Sequence, residues 1–367
     1  MARIIVSVTN DLVTDNRVHK VCTSLANFGF EILLVGRKLC SSENVLRSYP
    51  TKRFRLIFCK GPFFYAEYNI RLFFFLLFTK ADIFLSNDLD TLPANYWVSN
   101  FRGKKLVYDS HEYFTEVPEL IGRKRTQNFW LRIEKKYVPK IKNAYTVCDS
   151  LANIYYQKYL VPFKVIRNVP LKSRENKEKI NVELPKDKKI ILYQGSLNVG
   201  RGIEQVISAM KYIDHAVFLI IGKGDISKQL KMLAEKEGVS HKVIFLGRIP
   251  MEKLTSYTKC AHLGISLEEN LGLNYYYSLP NKIFDYIQAG VPVLASDFPE
   301  IKKIIEIYQA GKCTLERDPI KLSEIIKEML FDEKLQIEWS NNLQKAADDL
   351  CWEKEEKILK KIFEEIS

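Results

Sequence analysis

Short apolar runs alternate with amphipathic stretches along the first 150 residues. The runs have the length and the branched or aromatic side chains that are typical of buried strands, and they lie at 4–8, 31–35, 56–59, 83–86, 105–109 and 144–148. A stretch with helical periodicity at about 16–28 separates the first two runs. This alternation of strands and helices predicts a parallel sheet with right-handed crossovers.

The alternation restarts after a polar, basic break at about 169–189. The strand candidates of the second half lie at 189–194, 216–221, 242–246, 262–266 and 292–295. Residues 352–366 carry apolar side chains at helical spacing, which predicts a C-terminal amphipathic helix. We therefore expect two Rossmann-like domains, 1–168 and 169–350, that face each other across a cleft. The terminal segment 351–367 is expected to cross back to the first domain.

The basic residues are distributed unevenly. A chain of 367 residues with 47% hydrophobic and 27% charged residues is typical of a globular protein with more than one domain. Its net charge is +12, and residues 1–168 account for the whole excess, with 26 Lys and Arg against 14 Asp and Glu. Residues 169–367 contain 30 of each kind. This asymmetry predicts that the first domain meets an anionic partner, such as a membrane surface, a nucleic acid or an acidic polymer.

Cysteine usage indicates a reducing compartment. The seven cysteines are scattered and form no Cys-x-x-Cys pair, which argues against a zinc site and a disulfide framework. The N-terminus leads directly into an apolar strand and lacks the pattern of a signal peptide. We expect a cytoplasmic protein.

Residues 279–297 form the most informative segment. We expect Asn281 to cap a helix that runs to about residue 289, where Gly290 suits a helix C-terminus. Lys282 and Asp285 are three residues apart and project from one face of the first turn. A cation at this position suits a phosphate, and a carboxylate one turn later suits a ribose diol. An ordinary surface helix with an exposed ion pair fits the same spacing.

The end of this segment resembles a known family. Ala289-Gly-Val-Pro-Val-Leu-Ala-Ser296 is similar to the pattern that ends the donor-binding helix in the retaining glycosyltransferases of family 4, which have the GT-B fold. The resemblance implies transfer of a sugar from a nucleotide diphosphate sugar to a glycan or lipid-linked acceptor, with retention and without a cofactor. It implies a role in the synthesis of bacterial surface glycans.

Further donor-binding residues follow from this resemblance. Residues 193–204 combine a strand end, three glycines that allow close backbone approach and a helix opening near residue 202, without the Gly-Lys-[Ser/Thr] of a Walker loop. Arg201 occupies the position of the family's usual lysine for the diphosphate. Ser196 stands where an arginine is often found, and Lys282 is the candidate replacement for that cation. Arg248 and Ile249 match the loop whose backbone contacts the base. Plain strand-end turns are the alternative for both loops.

The chain departs from the family in its paired glutamates. Members carry two glutamates separated by seven residues, the first for the sugar and the second for the ribose. Asp285 replaces the second, and Tyr277 occupies the place of the first. The segment that begins at Glu269 resembles the surroundings of the first glutamate but lies about eight residues too early.

Polar residues at strand ends of the first half are candidates for catalysis and acceptor binding. His111 follows a strand and is flanked by Asp109 and Glu112, so we assign it a catalytic role as a group that orients and stabilises charge. In related enzymes a histidine here meets the donor sugar. Asp15, Arg17 and Asp88 are the acceptor-side candidates. Arg17 in the first turn of a helix is unfavourable for the helix dipole, which hints at an anionic partner, whereas Asp15 is well placed to be a simple helix cap. None of these segments has metal-ligand spacing.

A basic segment at 122–142 interleaves cations with aromatic residues. We predict contact with an anionic membrane surface through Arg123, Lys124, Arg125 and Trp130. The apolar stretch at 63–78 is too short to span a bilayer and suits the same interface. A solvated basic face and a buried core helix are the alternatives. No nucleic-acid-binding motif is present, which disfavours nucleic acid as the anionic partner. The location that we expect is therefore the cytoplasmic side of the membrane, at its inner face.

Two other classes of function stay open. A sugar-nucleotide epimerase shares the GT-B fold, but its Arg- and Glu-rich signatures are missing. A non-enzymatic nucleotide- or polyanion-binding protein would leave His111 and the cleft without a role.

Overall fold

Parallel sheets form the centre of both halves of the chain. The computed structural model describes residues 1–366 except 14, 173–184 and 186, so most of the basic break predicted at 169–189 lies outside the described residues. The chain divides into two units, one of Met1–Asn168 with Glu355–Ser367 and one of Val169–Lys354.

The sheet of the first unit has seven parallel strands in the order β3-β2-β1-β4-β5-β6-β7. Its strands are β1 Arg3–Asp11, β2 Glu31–Lys38, β3 Thr51–Arg55, β4 Ile83–Asn87, β5 Lys105–Ser110, β6 Asn143–Thr146 and β7 Lys164–Val165. Its helices are α1 Asn16–Asn27, α2 Gly61–Phe78, α3 Asp88–Arg102, α4 Lys124–Tyr137 and α5 Asp149–Tyr159. The chain leaves β1 towards β2 and β3 and then returns to its other side with β4, so the order reverses between β1 and β4.

The predicted strand at 56–59 is wrong, because the third strand ends at Arg55. Ile57 and Phe58 instead donate their backbone N–H groups to the carboxylate of Glu67 in α2, at 2.9–3.1 Å. Their apolar side chains are exposed. The edge strand itself is polar and basic, a composition that disfavours pairing with another chain and carries no apolar alternation to reveal it.

The second unit has a six-stranded parallel sheet in the order β10-β9-β8-β11-β12-β13. Its strands are β8 Lys189–Gln194, β9 Ala216–Ile221, β10 Val243–Gly247, β11 Leu263–Ser266, β12 Val293–Ser296 and β13 Gly311–Thr314. Its helices are α6 Ile203–Ala209, α7 Ser227–Lys236, α8 Met251–Thr258, α9 Leu273–Tyr276, α10 Asn281–Gln288, α11 Pro299–Tyr308, α12 Pro319–Phe331 and α13 Glu333–Asp349. All five strands predicted for this half are confirmed to within one residue, and the order reverses between β8 and β11.

The C-terminal helix α14, Trp352–Ile366, is confirmed. From Glu355 onward its residues belong to the first unit. Phe363 is fully buried and meets the ring of Phe30, with the two centroids 6.0 Å apart. The Glu355 carboxylate accepts hydrogen bonds from the side chain and backbone of Arg167, at 2.7 and 2.9 Å. The chain therefore returns to the first unit, as expected.

Candidate functional site

The reversal between β8 and β11 determines where polar side chains gather in the second unit. In open parallel sheets ligands bind beyond the carboxyl ends of the strands, at the point where the strand order reverses. The loop at 195–202 follows β8, and the loop at 267–272 follows β11. These two loops pack directly on each other, since Glu269 donates its backbone N–H to the carbonyl of Gly200 at 2.9 Å.

The glycines of the first loop serve this packing. A Cβ on Gly202 would lie 2.2 Å from the carbonyl oxygen of Leu267, and one on Gly200 would lie 2.4 Å from the side chain of Leu271. Both glycines have positive φ angles, +69° and +78°. The close backbone approach predicted for the glycines is therefore found at these two positions, where the backbone packs against the loop at 267–272.

A buried carboxylate that we did not predict lies at the centre of this region. Glu268 is fully buried, two residues beyond β11, and accepts a hydrogen bond from the hydroxyl of Ser266 at 2.8 Å. The ammonium of Lys282 lies 2.8 Å from Glu268 Oε1, and the guanidinium of Arg201 lies 3.8 Å from the same oxygen. Glu268 therefore joins the two cations that the sequence analysis selected for the diphosphate.

Aromatic rings support both cations. The Lys282 ammonium lies 4.3 Å from the ring centroid of Tyr193, and the Arg201 guanidinium lies 4.9 Å from that of Tyr275. Burial acts to raise the pKa of Glu268, but the charge of Lys282 outweighs it and holds this pKa below its ordinary value. Glu268 is therefore ionised at neutral pH.

Polar groups around Arg201 remain unsatisfied among the described residues. Arg201 Nε and Gln205 Oε1 are buried and have no hydrogen-bond partner there. Gln205 uses its other amide atom to donate to Glu269 at 3.0 Å. Buried polar atoms without partners are rare in folded proteins, so their concentration here is typical of a site that takes a polar ligand or ordered water.

The remaining donor-site candidates lie at different distances from this centre. Asp285 accepts a hydrogen bond from Gln194, the last residue of β8, at 3.0 Å, so its carboxylate also reaches the carboxyl end of the sheet. Ser196 is exposed in the loop after β8. Arg248 and Ile249 follow β10, which is an edge strand two positions away from β8.

The predicted cap of α10 is wrong. Pro280 occupies the N-cap position, and Asn281 is the first helical residue, exposed and without a capping hydrogen bond from its side chain. Pro280 has no side-chain oxygen, so the N-cap residue gives the first backbone N–H groups of α10 no side-chain cap. Gly290, with φ +72°, follows the helix as expected.

Arg317 is a further basic residue that the sequence analysis missed. It is half-buried and donates to the backbone carbonyl of Glu268 at 2.9 Å. Ser296 donates to the same carbonyl at 2.6 Å. The only sequence signal for the Glu268 carboxylate was its position after a short strand. Arg317 lies in a loop beyond β13, and no motif marks it.

In the first unit a pocket of about 500 Å³ opens at the carboxyl ends of β1 and β4. It is lined by carboxylates, by cations and by aromatic rings: Asp15, Asp88, Asp90, Glu112, Glu119, Arg37, Lys60, His111, Phe64, Tyr65 and Phe114. The two candidates Asp15 and Asp88 thus share one cavity with His111.

Arg17 is not among the residues that line this pocket, and its anionic partner lies within the protein. The side chain is 4% exposed, and its guanidinium holds both carboxylate oxygens of the fully buried Asp109, at 2.9 and 3.3 Å. It also donates to the carbonyl of Ile166 at 3.1 Å. The partner is therefore an internal carboxylate 92 residues away in sequence.

His111 is held between two carboxylates. Its Nε2 lies 2.9 Å from Asp109 Oδ2, and its Nδ1 lies 3.4 Å from Asp88 Oδ2. Burial lowers the pKa of His111, but Asp109 and Asp88 outweigh it and raise this pKa to about 9. Burial likewise opposes ionisation of Asp109, yet Arg17 and His111 lower its pKa to about 2. The imidazole is therefore protonated at neutral pH.

Asp88 occupies a strained position at the mouth of the pocket. Its φ of +57° is unusual for a non-glycine residue, and its carboxylate accepts the backbone N–H of His111 at 2.9 Å. Burial raises its pKa and, with the charge of Asp88, raises that of neighbouring Asp90 to about 7. Asp15 caps α1 by accepting from the backbone N–H of Val18 at 3.1 Å, which confirms the simpler interpretation of this residue.

The predicted membrane contact through Trp130 is wrong. This side chain is 4% exposed and packs edge-on against Tyr65 and Phe114, with centroids 4.9 Å apart in both pairs. The helical periodicity of α4 turns this position inward, whereas Arg123, Lys124 and Arg125 are exposed at the start of the helix.

Large apolar side chains are nevertheless exposed nearby. Helix α2 buries one face in the core and exposes another, and α3, which packs beside it, adds two rings. We call this set the apolar surface: Phe63, Ile70, Phe74 and Phe78 of α2, with Trp97 and Phe101 of α3. None of the helices in the described part of the chain has the length and apolarity that crossing a bilayer requires.

The described residues contain no cluster of His, Cys, Asp or Glu that could hold a metal ion.

Comparison with known proteins identifies the family that the second unit resembles. Residues 174–346 match the family model described as glycosyl transferases group 1. An uncharacterised glycosyltransferase of Methanocaldococcus jannaschii is 30% identical over 164 residues, which are 42% of this chain and 40% of that protein. The matched segments span 40%, 52% and 39% of the lengths of three such relatives, about half or less in each.

Solved structures match the whole chain. A sucrose-phosphate synthase from Thermosynechococcus elongatus superposes with a TM-score of 0.81 at 17% identity, over 100% of this chain and 99% of that one. HepE of Anabaena, crystallised with UDP, superposes with a TM-score of 0.71 at 13% identity over 100% of both chains. At such identities the likeness shows the fold alone, and that fold is GT-B, as the sequence analysis expected.

Proposed function

We propose that this chain, whose residues 174–346 carry a glycosyltransferase group 1 domain on a GT-B fold, is a glycosyltransferase. It moves a sugar from a nucleotide diphosphate sugar to a glycan or lipid-linked acceptor with retention of the anomeric configuration. Its place is in the synthesis of cell-surface polysaccharide, at the inner face of the membrane.

The observation that carries this proposal is the pair of cations at the reversal point of the second sheet. Arg201 lies in the loop after β8 and Lys282 in the first turn of α10, yet both approach Glu268. Two cations beside unsatisfied buried polar atoms suit the two phosphates of a nucleotide sugar. Asp285, near the end of β8, suits the ribose, and backbone groups at Arg248 and Ile249 are assigned to the base.

The first-unit pocket is the proposed acceptor site. Carboxylates such as Asp88 accept hydrogen bonds from sugar hydroxyls, and the rings of Tyr65 and Phe114 offer apolar faces for a pyranose. Arg17 is removed from this assignment because Asp109 occupies its guanidinium.

Retention assigns His111 a charge-stabilising role. In a front-face transfer the acceptor hydroxyl attacks the anomeric carbon on the side from which the diphosphate leaves. Its proton passes to the leaving phosphate oxygen as the old C–O bond breaks and the new one forms, so no protein base is needed. An imidazolium fixed by Asp109 and Asp88 suits stabilisation of the negative charge that develops on the leaving group.

The membrane assignment rests on two features of the first unit. Arg123, Lys124 and Arg125 are exposed and offer attraction to anionic headgroups, and the apolar surface offers side chains for the interface. A lipid-linked acceptor would be presented at such a surface.

Transfer of a labelled sugar tests the proposal. UDP-, GDP- and ADP-sugars are first screened by thermal shift, with UDP-sugars first because HepE was crystallised with UDP. The stabilising donor is then incubated with membrane lipid, and NMR of the product reports the anomeric configuration. Label that moves into a lipid or glycan product supports a transferase. Conversion of the nucleotide sugar without an acceptor would indicate an epimerase, and binding without turnover a non-enzymatic protein.

His111→Ala separates binding from catalysis in the same assay. We expect the variant to bind the nucleoside diphosphate and to lose most of its transfer activity, because the histidine lies in the first unit. Loss of nucleotide binding, or turnover near that of the wild type, would contradict the role assigned to His111.

A further inference from the structure

We propose that Glu268 is a positioning residue of the donor site, which holds the ammonium of Lys282 and the guanidinium of Arg201 together for the donor's diphosphate. This inference rests on the proposed function and adds a residue to it. The family resemblance concerns the neighbouring residue Glu269 and implies no role for Glu268.

The argument begins with the cost of burying Lys282. Its side chain is about 90% removed from solvent, in a helix whose buried residues include Ile283 and Phe284. A buried ammonium loses hydration, which favours the neutral amine unless an opposite charge compensates. Glu268, at 2.8 Å, is the one carboxylate that forms an ion pair with Lys282 within the described part of the chain.

A second cation increases the need for compensation. The guanidinium of Arg201 approaches the same carboxylate oxygen at 3.8 Å, so two positive charges share one negative charge. Two cations that approach one carboxylate repel each other, and the negative charge of Glu268 compensates this repulsion. Without Glu268 the repulsion would favour a displacement of one of the two side chains.

The other groups that face this ion pair do not replace Glu268. The ring centroid of Tyr193 lies 4.3 Å from the ammonium. Burial raises the pKa of the Tyr193 hydroxyl, so this side chain supplies no negative charge at neutral pH. Asp285, on the same helix as Lys282, accepts from Gln194. Arg317, from the loop beyond β13, adds a further positive charge at the Glu268 backbone.

The position of Glu268 is itself held firmly. Ser266 donates to its carboxylate, while Ser296 and Arg317 donate to its carbonyl. The carboxylate is therefore a fixed anchor for one side chain from a loop and one from the helix α10. An anchor of this kind holds both cations in place before the ligand arrives, which reduces the entropy that binding costs.

The experiment measures nucleoside diphosphate affinity near neutral pH in the full-length protein, for the wild type, Glu268→Gln, Arg201→Ala and the double variant. UDP is the probe, with GDP or ADP in its place where the thermal-shift screen selects that base. We expect Glu268→Gln to bind about tenfold or more weakly than the wild type, because a lost charge-assisted contact of about 1.5–3 kcal/mol corresponds to about that factor. The double variant should lose less affinity than the two single losses combined, since Glu268 acts through the cations.

A second substitution shows whether the charge of Glu268 is what matters. Glu268→Asp keeps a carboxylate and should bind the nucleotide more tightly than Glu268→Gln. Glu316→Gln is the matched control, since this carboxylate accepts backbone N–H groups at 317 and 318 and forms no ion pair with Arg201 or Lys282 among the described residues. Its affinity should equal that of the wild type.

The outcomes separate this inference from the function on which it rests. Losses of affinity that simply add in the double variant, or an affinity of Glu268→Gln that equals that of the wild type, would overturn the role of Glu268 and leave the donor site standing. A wild-type protein that binds none of the three nucleotides would overturn both.

Discussion

The contacts of the two donor-site cations determine which of them can be substituted to test phosphate binding. Lys282 was selected as a cation at the start of a helix that suits a phosphate, but it is 9% exposed and lies 2.8 Å from Glu268. Its removal would take the nearest cation away from a buried carboxylate, a change that destabilises the fold by itself. Arg201 is more exposed and lies farther from Glu268, so its substitution is the cleaner test of the phosphate contact.

We expect Arg201→Ala to weaken nucleoside diphosphate binding by about 1.5–3 kcal/mol, the value of a hydrogen bond to a charged group. Isothermal titration with the preferred nucleotide measures the change. Arg248→Ala serves as the control, because only backbone groups are assigned to that position. Equal affinities of Arg201→Ala and the wild type would exclude Arg201 from the donor site.

His111 supports a second prediction at this scale, on stability against pH. Its pKa in the folded protein, about 9, is above the ordinary value of about 6.5 for an unfolded chain. The ion pairs of His111 therefore stabilise the fold fully below pH 6.5, and this contribution is lost as the pH rises through 9. Denaturant unfolding at several pH values should show a decline over this window in the wild type and a smaller decline in His111→Gln. Parallel profiles of the two proteins would contradict the assignment.

At the scale of elements, periodicity predicted which helices exist more reliably than which face each one presents. Helix α4 carries cations and aromatic residues, as expected, but its Trp130 points into the core. The sequence left two interpretations of α2 open, a buried core helix and an interfacial one, and each describes one face of the helix. The buried face carries Phe64, Tyr68, Leu72 and Leu76. The exposed face carries Phe63, Ile70, Phe74 and Phe78. The interfacial side chains therefore come from α2 and α3, and the charges from α4.

Removal of Arg123, Lys124 and Arg125 should weaken binding to anionic vesicles by a few kcal/mol, because each basic residue near such a surface contributes about 1 kcal/mol. Binding should weaken as salt is added, since exposed charges are screened over about 8–10 Å near physiological ionic strength. Co-sedimentation across a salt series measures both effects. Substitution of Lys228, Lys231 and Lys236 on α7 removes the same charge from the second unit and should have little effect. Equal binding to neutral and anionic vesicles would leave the basic residues as a solvated face.

Across the whole molecule, the last helix completes a core that the first 168 residues leave open. Leu359, Ile362 and Phe363 of α14 are buried within the first unit, although nearly 200 residues of the second unit precede them. The stability of the first unit thus depends on the C-terminus of the chain.

Phe363→Ala should destabilise the first unit by about 3–5 kcal/mol, the usual cost of a large-to-small change at a buried aromatic position. Ile358→Ala on the same helix is the control, because this side chain is 36% exposed and should change stability by about 0.5 kcal/mol or less. Hydrogen exchange of peptides from β1, β2 and β4 reports the first unit separately. Similar exchange in both variants would mean that α14 contributes little to this core.

The sequence by itself determined five of the six strands of the second sheet, the C-terminal helix and the two-domain GT-B fold, because these depend on local periodicity and on glycine and proline at element ends. It missed β13, whose four residues form no apolar run. It also indicated Arg201, Lys282 and His111, which occupy strand-end loops and a helix start. Tertiary structure alone decided their partners. Glu268 is 67 residues from Arg201 and 14 from Lys282 in sequence, and Arg17 pairs with Asp109 across 92 residues. Such pairs leave no periodic signal, since they depend on which strands become neighbours in the sheet.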